Sequence, residues 1–128
     1  MTETTYPVDA VDQVVERWAA AFNSHDVRDL AALFAPDALF QGLGPAPLVG
    51  RDAAADYYRA VPDYRRAADV RVLHTWAIGE DVAGGFVDIT FRGPDDWDVR
   101  VYLSLVLQRS GGDWEIRQYH VSRVDDEH

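Results

Sequence analysis

The eleven residues Trp97-Asp-Val-Arg-Val-Tyr-Leu-Ser-Leu-Val-Leu107 split into two registers of different character. One reads Val99, Val101, Leu103, Leu105, Leu107; the other reads Asp98, Arg100, Tyr102, Ser104, Val106. Successive side chains of a strand point to opposite faces, so this segment reads as a strand with one greasy and one mixed face. The neighbouring run repeats the division, with Val87, Ile89 and Phe91 in the greasy register and Phe86, Asp88 and Thr90 in the mixed one. A sheet carrying both registers has two faces to cover, and that requirement limits the folds open to the chain.

Turn residues set the length of the strands. Gly79-Glu-Asp81, Gly93-Pro-Asp-Asp96 and Ser110-Gly-Gly-Asp113 divide the second half into strands over 70–78, 82–92, 97–109 and 114–124. The first half has helical periodicity. Val11, Val14, Val15, Trp18, Ala19 and Phe22 form one apolar stripe, with Pro7 in the first turn. Asn23-Ser-His-Asp26 breaks that helix, and Asp26 caps a second, shorter one that buries Leu30, Leu33 and Phe34 and ends at Pro36. A short strand at 38–41 and a loop at 42–47 follow, then a third helix over 53–61, capped by Asp52 and stopped by Pro62. Helices followed by long antiparallel strands make an α+β fold with the helices on one face of the sheet. The other face then needs a cover, and a second copy of the chain supplies it. The expectation is one domain over 1–128, frayed at 125–128.

Charge and composition narrow the function. The net charge is −10, which repels phosphate backbones and anionic lipid, so neither nucleic acid nor a membrane surface is expected as a partner. No apolar run approaches the ~20 residues of a membrane span. The polar, acidic start Met1-Thr-Glu-Thr-Thr5 lacks the pattern of a secretory signal, and a cytoplasmic location follows by default. The chain has no cysteine, hence no thiol nucleophile or thiolate metal ligand. All twelve basic residues other than histidine are arginine, a bias that points to a GC-rich bacterial genome and excludes a lysine Schiff base.

Three segments, Val14-Val-Glu-Arg-Trp-Ala-Ala-Ala-Phe-Asn-Ser-His-Asp26, Leu33-Phe-Ala-Pro-Asp-Ala38 and Gly50-Arg-Asp-Ala53, resemble the nuclear transport factor 2-like superfamily, in particular its SnoaL-like and ketosteroid-isomerase-like members. Ile78-Gly-Glu-Asp81 and Trp114-Glu-Ile-Arg-Gln-Tyr-His-Val-Ser122 are also similar to the association domain of calcium/calmodulin-dependent protein kinase II. The resemblance implies a cone: a strongly curved antiparallel sheet wrapped around the N-terminal helices, with a pocket between them. It also implies that the mixed register lies inside the cone and the greasy register, centred on Leu103, faces a partner subunit. A ketosteroid isomerase would place a tyrosine where this chain has Trp18, a general-base aspartate at or near Gly42 and a second acid near Ser104. None is present, so steroid isomerase activity is not expected.

Candidate site residues follow from the mixed register. Asp88 among aromatics would be a raised-pKa acid or base, or else the ion-pair partner of Arg100. Arg100, Tyr102 and Arg117 could stabilise an oxyanion, or neutralise Asp88. Trp18, Phe22, Phe34, Phe40, Tyr57, Tyr58, Phe86, Ser104 and Tyr119 complete the expected ligand-binding lining. His74 and His120 read as core or interface residues in apolar registers. The three acids Asp95, Asp96 and Asp98 read as a solvated hairpin tip, and no metal or cofactor site is expected. Two functions remain open. One is a cofactor-free isomerase, cyclase or dehydratase for an apolar carbonyl compound such as a polyketide-like metabolite; the other is a non-catalytic ligand-binding or self-association domain. The state of Asp88 discriminates them: a free, pocket-facing carboxylate favours the enzyme, and one locked by two arginines favours the binder.

Overall fold

A computed structural model describes residues 7–44 and 46–124; the frayed tail expected at 125–128 lies outside them. The chain runs α1 (Pro7–Asn23), α2 (Val27–Ala32), β1 (Phe34–Gln41), β2 (Leu48–Val49), α3 (Arg51–Ala60), β3 (Arg66–Ile78), β4 (Val82–Arg92), β5 (Asp98–Ser110) and β6 (Asp113–Arg123). The strands form one curved, unclosed sheet in the order β2-β1-β6-β5-β4-β3, antiparallel except where β1 runs parallel to β6. This is the expected α+β architecture.

Local chemistry explains the element boundaries. Asp26 Oδ1 accepts the Asp29 N–H at 3.0 Å and caps α2, as its position before Leu30 suggested. Asn23 ends α1 and mimics a strand neighbour: its amide oxygen accepts the Ala67 N–H at 2.8 Å and its amide nitrogen donates to the Ala67 carbonyl at 3.2 Å. The end of α1 is thereby tied to the start of β3. Two expectations are corrected here. Pro36 does not stop a helix; it lies within β1, where the pairing with β6 shifts between Phe34 and Leu39 and requires no N–H from it. Gly50 rather than Asp52 is the N-cap of α3, with φ of 100° and no side-chain cap bond.

The apolar stripe of α1 packs into the concave face of the sheet, and the register it meets is the greasy one. Val87, Ile89, Val101, Leu103, Leu105 and Leu107 are at most 3% exposed, as are Val11, Val14 and Trp18 opposite them. Each such aliphatic side chain contributes about 1.5–3 kcal/mol when fully buried. The assignment of sheet faces is therefore reversed from the one the resemblance implied. The greasy register faces the helix, and a dimer through Leu103 is excluded because Leu103 is 1% exposed in the core. The mixed register of β4 and β5 lies on the convex, outer face. The physical reason is simple: apart from Asn23 at its end, α1 turns its apolar stripe to the sheet, so the register without charges packs against it.

β6 adds a second correction. Val106 pairs with Gln118 but Leu107 pairs with Ile116, so Arg117 is an extra residue that flips the alternation. Ile116 points inward, and beyond the bulge so do Tyr119 and Val121. His120 consequently leaves the apolar register and is exposed on the outer face, opposite Ser104. His74 pairs with Phe86 on that same outer face and is exposed.

Candidate functional site

The expected site residues fall into two separate groups. On the outer face Asp88 pairs across strands with Arg71 and Tyr102. Arg100 makes a two-pronged contact with it, Nε to Oδ1 at 3.0 Å and Nη2 to Oδ2 at 2.9 Å, and Arg71 Nη2 adds a third bond at 3.0 Å. Arg100 also lies over the Tyr102 ring, 5.5 Å from its centroid. Asp88 is 6% exposed, yet what covers it is largely guanidinium. The hydrogen bonds from Arg100, opposed by burial and reinforced by Arg71, hold its carboxyl below the usual carboxylate range. It is a weak base, in contrast to the raised-pKa group that proton transfer near neutral pH requires.

Other members of the expected lining also sit away from the cone. Phe86 is 52% exposed and Tyr102 is 40% exposed. Ser104 pairs with Phe86 and His120 on the outer face. Arg117 is held at the bulge by Asp37, donating to its carbonyl at 2.9 Å and pairing with its carboxylate at 3.4 Å.

Inside the cone the structure gathers Trp18, Phe22, Phe34, Phe40, Tyr57, Tyr58 and Tyr119, carried by α1, β1, α3 and β6. Phe40 stacks on Tyr119 with centroids 4.6 Å apart, and Trp18 stacks on Phe22 at 5.1 Å. The Trp18 indole N–H donates to the Tyr58 hydroxyl at 3.0 Å. A side-chain hydrogen bond also joins the Tyr119 and Tyr58 phenols. Burial pushes both phenols well above the ordinary tyrosine range; for Tyr58 the bonds from Trp18 and Tyr119 oppose that rise without cancelling it. Both therefore remain protonated donors at any ordinary pH.

A pocket opens between α3 and the sheet, and Phe22, Tyr57, Tyr58 and Tyr119 line it together with Gly42, Leu43, Val61, Arg65, Phe91 and Val121. It encloses about 300 Å³ of unfilled space, open mouth included, of which about 10 Å³ admits the centre of a water molecule. That is room for roughly one water. Tyr57 narrows the mouth: its hydroxyl accepts the Leu43 N–H at 2.8 Å, and its ring packs on Gly42, where a Cβ would fall 2.5 Å from Cζ. The space that a side chain at Gly42 would need is thus filled by the Tyr57 ring.

The lining includes no carboxylate and no imidazole. Among the described residues no cluster of three or more histidine or acidic groups could hold a metal ion, and no helix is long and apolar enough to cross a membrane. Phe91 does alternate with Val87 and Ile89 in the greasy register, but that register faces inward, and Val121 joins the lining only through the bulge at Arg117. Arg65 follows Pro62 in an irregular segment before β3, where no periodicity marks it.

Residues 11–126 match the family model of the SnoaL-like domain. None of the curated proteins compared matches the chain. Among solved structures it is similar to a ketosteroid isomerase-like protein from Erwinia carotovora atroseptica, with a TM-score of 0.78 and 18% identity over 92% of this chain and 96% of that one. An NTF2-like protein with a cystatin-like fold from Novosphingobium aromaticivorans gives 0.77 and 16%, over 90% of this chain and 80% of the other. A protein described as a calcium/calmodulin-dependent protein kinase type II association domain, from Thiobacillus denitrificans, gives 0.74 and 23%, over 96% of this chain and all of the other. At these identities the likeness establishes the fold.

Proposed function

The chain belongs to the SnoaL-like domain family, and on that premise we propose that it is a small-molecule-binding, self-associating domain whose ligand site is the phenol-floored end of the cone. One observation carries this reading. The only carboxylate in the mixed register of β4 that could have moved a proton, Asp88, is locked by two arginines on the outer face, while the pocket offers donors without a base. Tyr58 accepts the indole proton of Trp18 and shares a hydrogen bond with Tyr119. The two phenols are the hydroxyl groups that an oxygen atom of an occupant meets at the buried end of the pocket. Phe22, Phe91, Val61 and Val121 supply apolar walls, which suit a small, flat ligand with one oxygen at its buried end. An occupant larger than a water enters when Tyr57 and Leu43 give way at the mouth.

The outer face supports the second half of the reading. Leu39, Trp76, Ile78, Phe86 and Tyr102 are 39–68% exposed there, amid the paired charges of Asp88, Arg71 and Arg100. An apolar centre whose charges are held in an ion-pair network is suited to a second copy of itself, as a two-fold interface requires. The association-domain neighbour adopts the same fold.

The binding half is tested with 4-hydroxybenzamide, a neutral, flat probe, followed by the ¹H–¹⁵N spectrum of the protein. The Trp18 indole resonance is expected to move in a saturable way as the probe engages Tyr58, the acceptor of that indole proton. Saturable shifts confined to Tyr102 and Phe86, with Trp18 unmoved, would place the ligand on the outer face and overturn the reading.

A further inference from the structure

We infer that the pocket selects a carboxylate-bearing ligand, with Arg65 as the group that reads the anion; this rests on the ligand site proposed above. Seven of the twelve arginines, at 51, 59, 71, 92, 100, 109 and 117, form ion pairs among the described residues. Arg65 is in none of them, although it lies on the pocket wall with its Nε buried and without a hydrogen-bond partner among the described residues. In a chain with ten more acids than bases, leaving a buried guanidinium nitrogen unpaired is costly unless something from outside pairs with it.

Its position is also fixed. The Arg65 N–H donates to the Pro62 carbonyl at 3.1 Å, in the turn that follows α3. The guanidinium carbon lies 4.5 Å from the centroid of the Trp97 ring, so the cation is held against an aromatic surface. A guanidinium edge presents parallel N–H donors that match the two oxygens of a carboxylate. The pocket thus has a cationic fork at one part of its lining and the Tyr58 and Tyr119 phenols at another, with apolar walls between. The complementary ligand is a small aromatic or unsaturated carboxylic acid with a second oxygen function, bound as its anion. The net charge of −10 opposes its approach at long range, but salt at physiological strength screens that repulsion beyond roughly 8 Å.

The test compares 4-hydroxybenzoate with 4-hydroxybenzamide, which share shape and differ in charge, by titration against the full chain and its Arg65→Gln variant at pH 7. The benzoate is expected to bind at least ~10-fold more tightly than the amide, and Arg65→Gln to erase that gap by weakening the benzoate far more than the amide. Retained amide binding also shows that the variant is folded. Equal affinities in the unmutated chain, or a gap that survives Arg65→Gln, would overturn the role of Arg65 and leave the pocket standing. Binding of neither probe would overturn the pocket and, with it, this inference.

Discussion

Asp88 shows how one carboxylate can look catalytic in a strand and be structural in a sheet. Its neighbours Phe86, Val87, Ile89 and Phe91 are apolar, but only Val87, Ile89 and Phe91 surround the core; Asp88 itself faces outward beneath Arg71 and Arg100. Because its folded pKa is depressed, its contribution to stability is present above the unfolded carboxylate pKa and is lost as pH falls through the folded value. Asp88→Asn should cost about 1–2 kcal/mol at pH 7, a modest figure because the Arg71 and Arg100 side chains are 71% and 40% exposed. The gap between variant and parent should close as the pH is taken below about 4. Urea denaturation at pH 7 and pH 3 measures it, and an unchanged gap at both would show that the ion pair contributes nothing.

At the scale of elements, the helices and hairpins were legible because short-range chemistry specifies them. The α1 stripe, the Asp26 cap and the glycine turns that separate β3 to β6 all depend on neighbours a few residues away. The side of the sheet that each register faces was not legible in the same way. Alternation says which residues share a face, and only the packing partner says which face is inside. The uniform Val and Leu register of β5 was itself the better guide, since the apolar stripe of α1 has nothing to pair with Arg100. The bulge at Arg117 has no marker in Trp114–Val124, so the outward turn of His120 and the inward turn of Tyr119 depended on pairing with β5. Gly84 marks a close approach between strands. A Cβ there would fall 2.4 Å from the Leu105 carbonyl oxygen and 2.3 Å from the Trp76 ring, which crosses the strand at this point. Gly84→Ala should therefore destabilise the fold by about 1–3 kcal/mol with an unchanged m-value in denaturation. A cost under about 0.5 kcal/mol would mean that Trp76 and the β5 backbone yield more easily than the close approach implies.

For the whole molecule, the cone spends its apolar residues on filling itself and leaves a second aromatic group outside. Trp18, Phe22, Phe40, Tyr58 and Tyr119 close the interior to about the space of one water, and Trp76, Phe86 and Tyr102 remain at the outer surface. Phe86→Arg, on an exposed position, should leave the fold intact and halve the mass seen by sedimentation at micromolar concentration. A parent chain that sediments as a monomer at that concentration would remove the self-association half of the account. Leu103→Arg should instead abolish folding, because Leu103 lies in the core.

The measurement that bears most directly on the central claim compares binding of 4-hydroxybenzamide to Tyr58→Phe and Asp88→Asn in parallel titrations. If the cone holds the ligand, removing the Tyr58 hydroxyl should weaken binding by about tenfold or more, the size expected for a buried hydrogen bond of roughly 1.5 kcal/mol. Asp88→Asn, which alters only the outer face, should bind like the parent. The reverse pattern, with Tyr58→Phe unaffected and Asp88→Asn weakened, would move the site to the outer face and contradict the account.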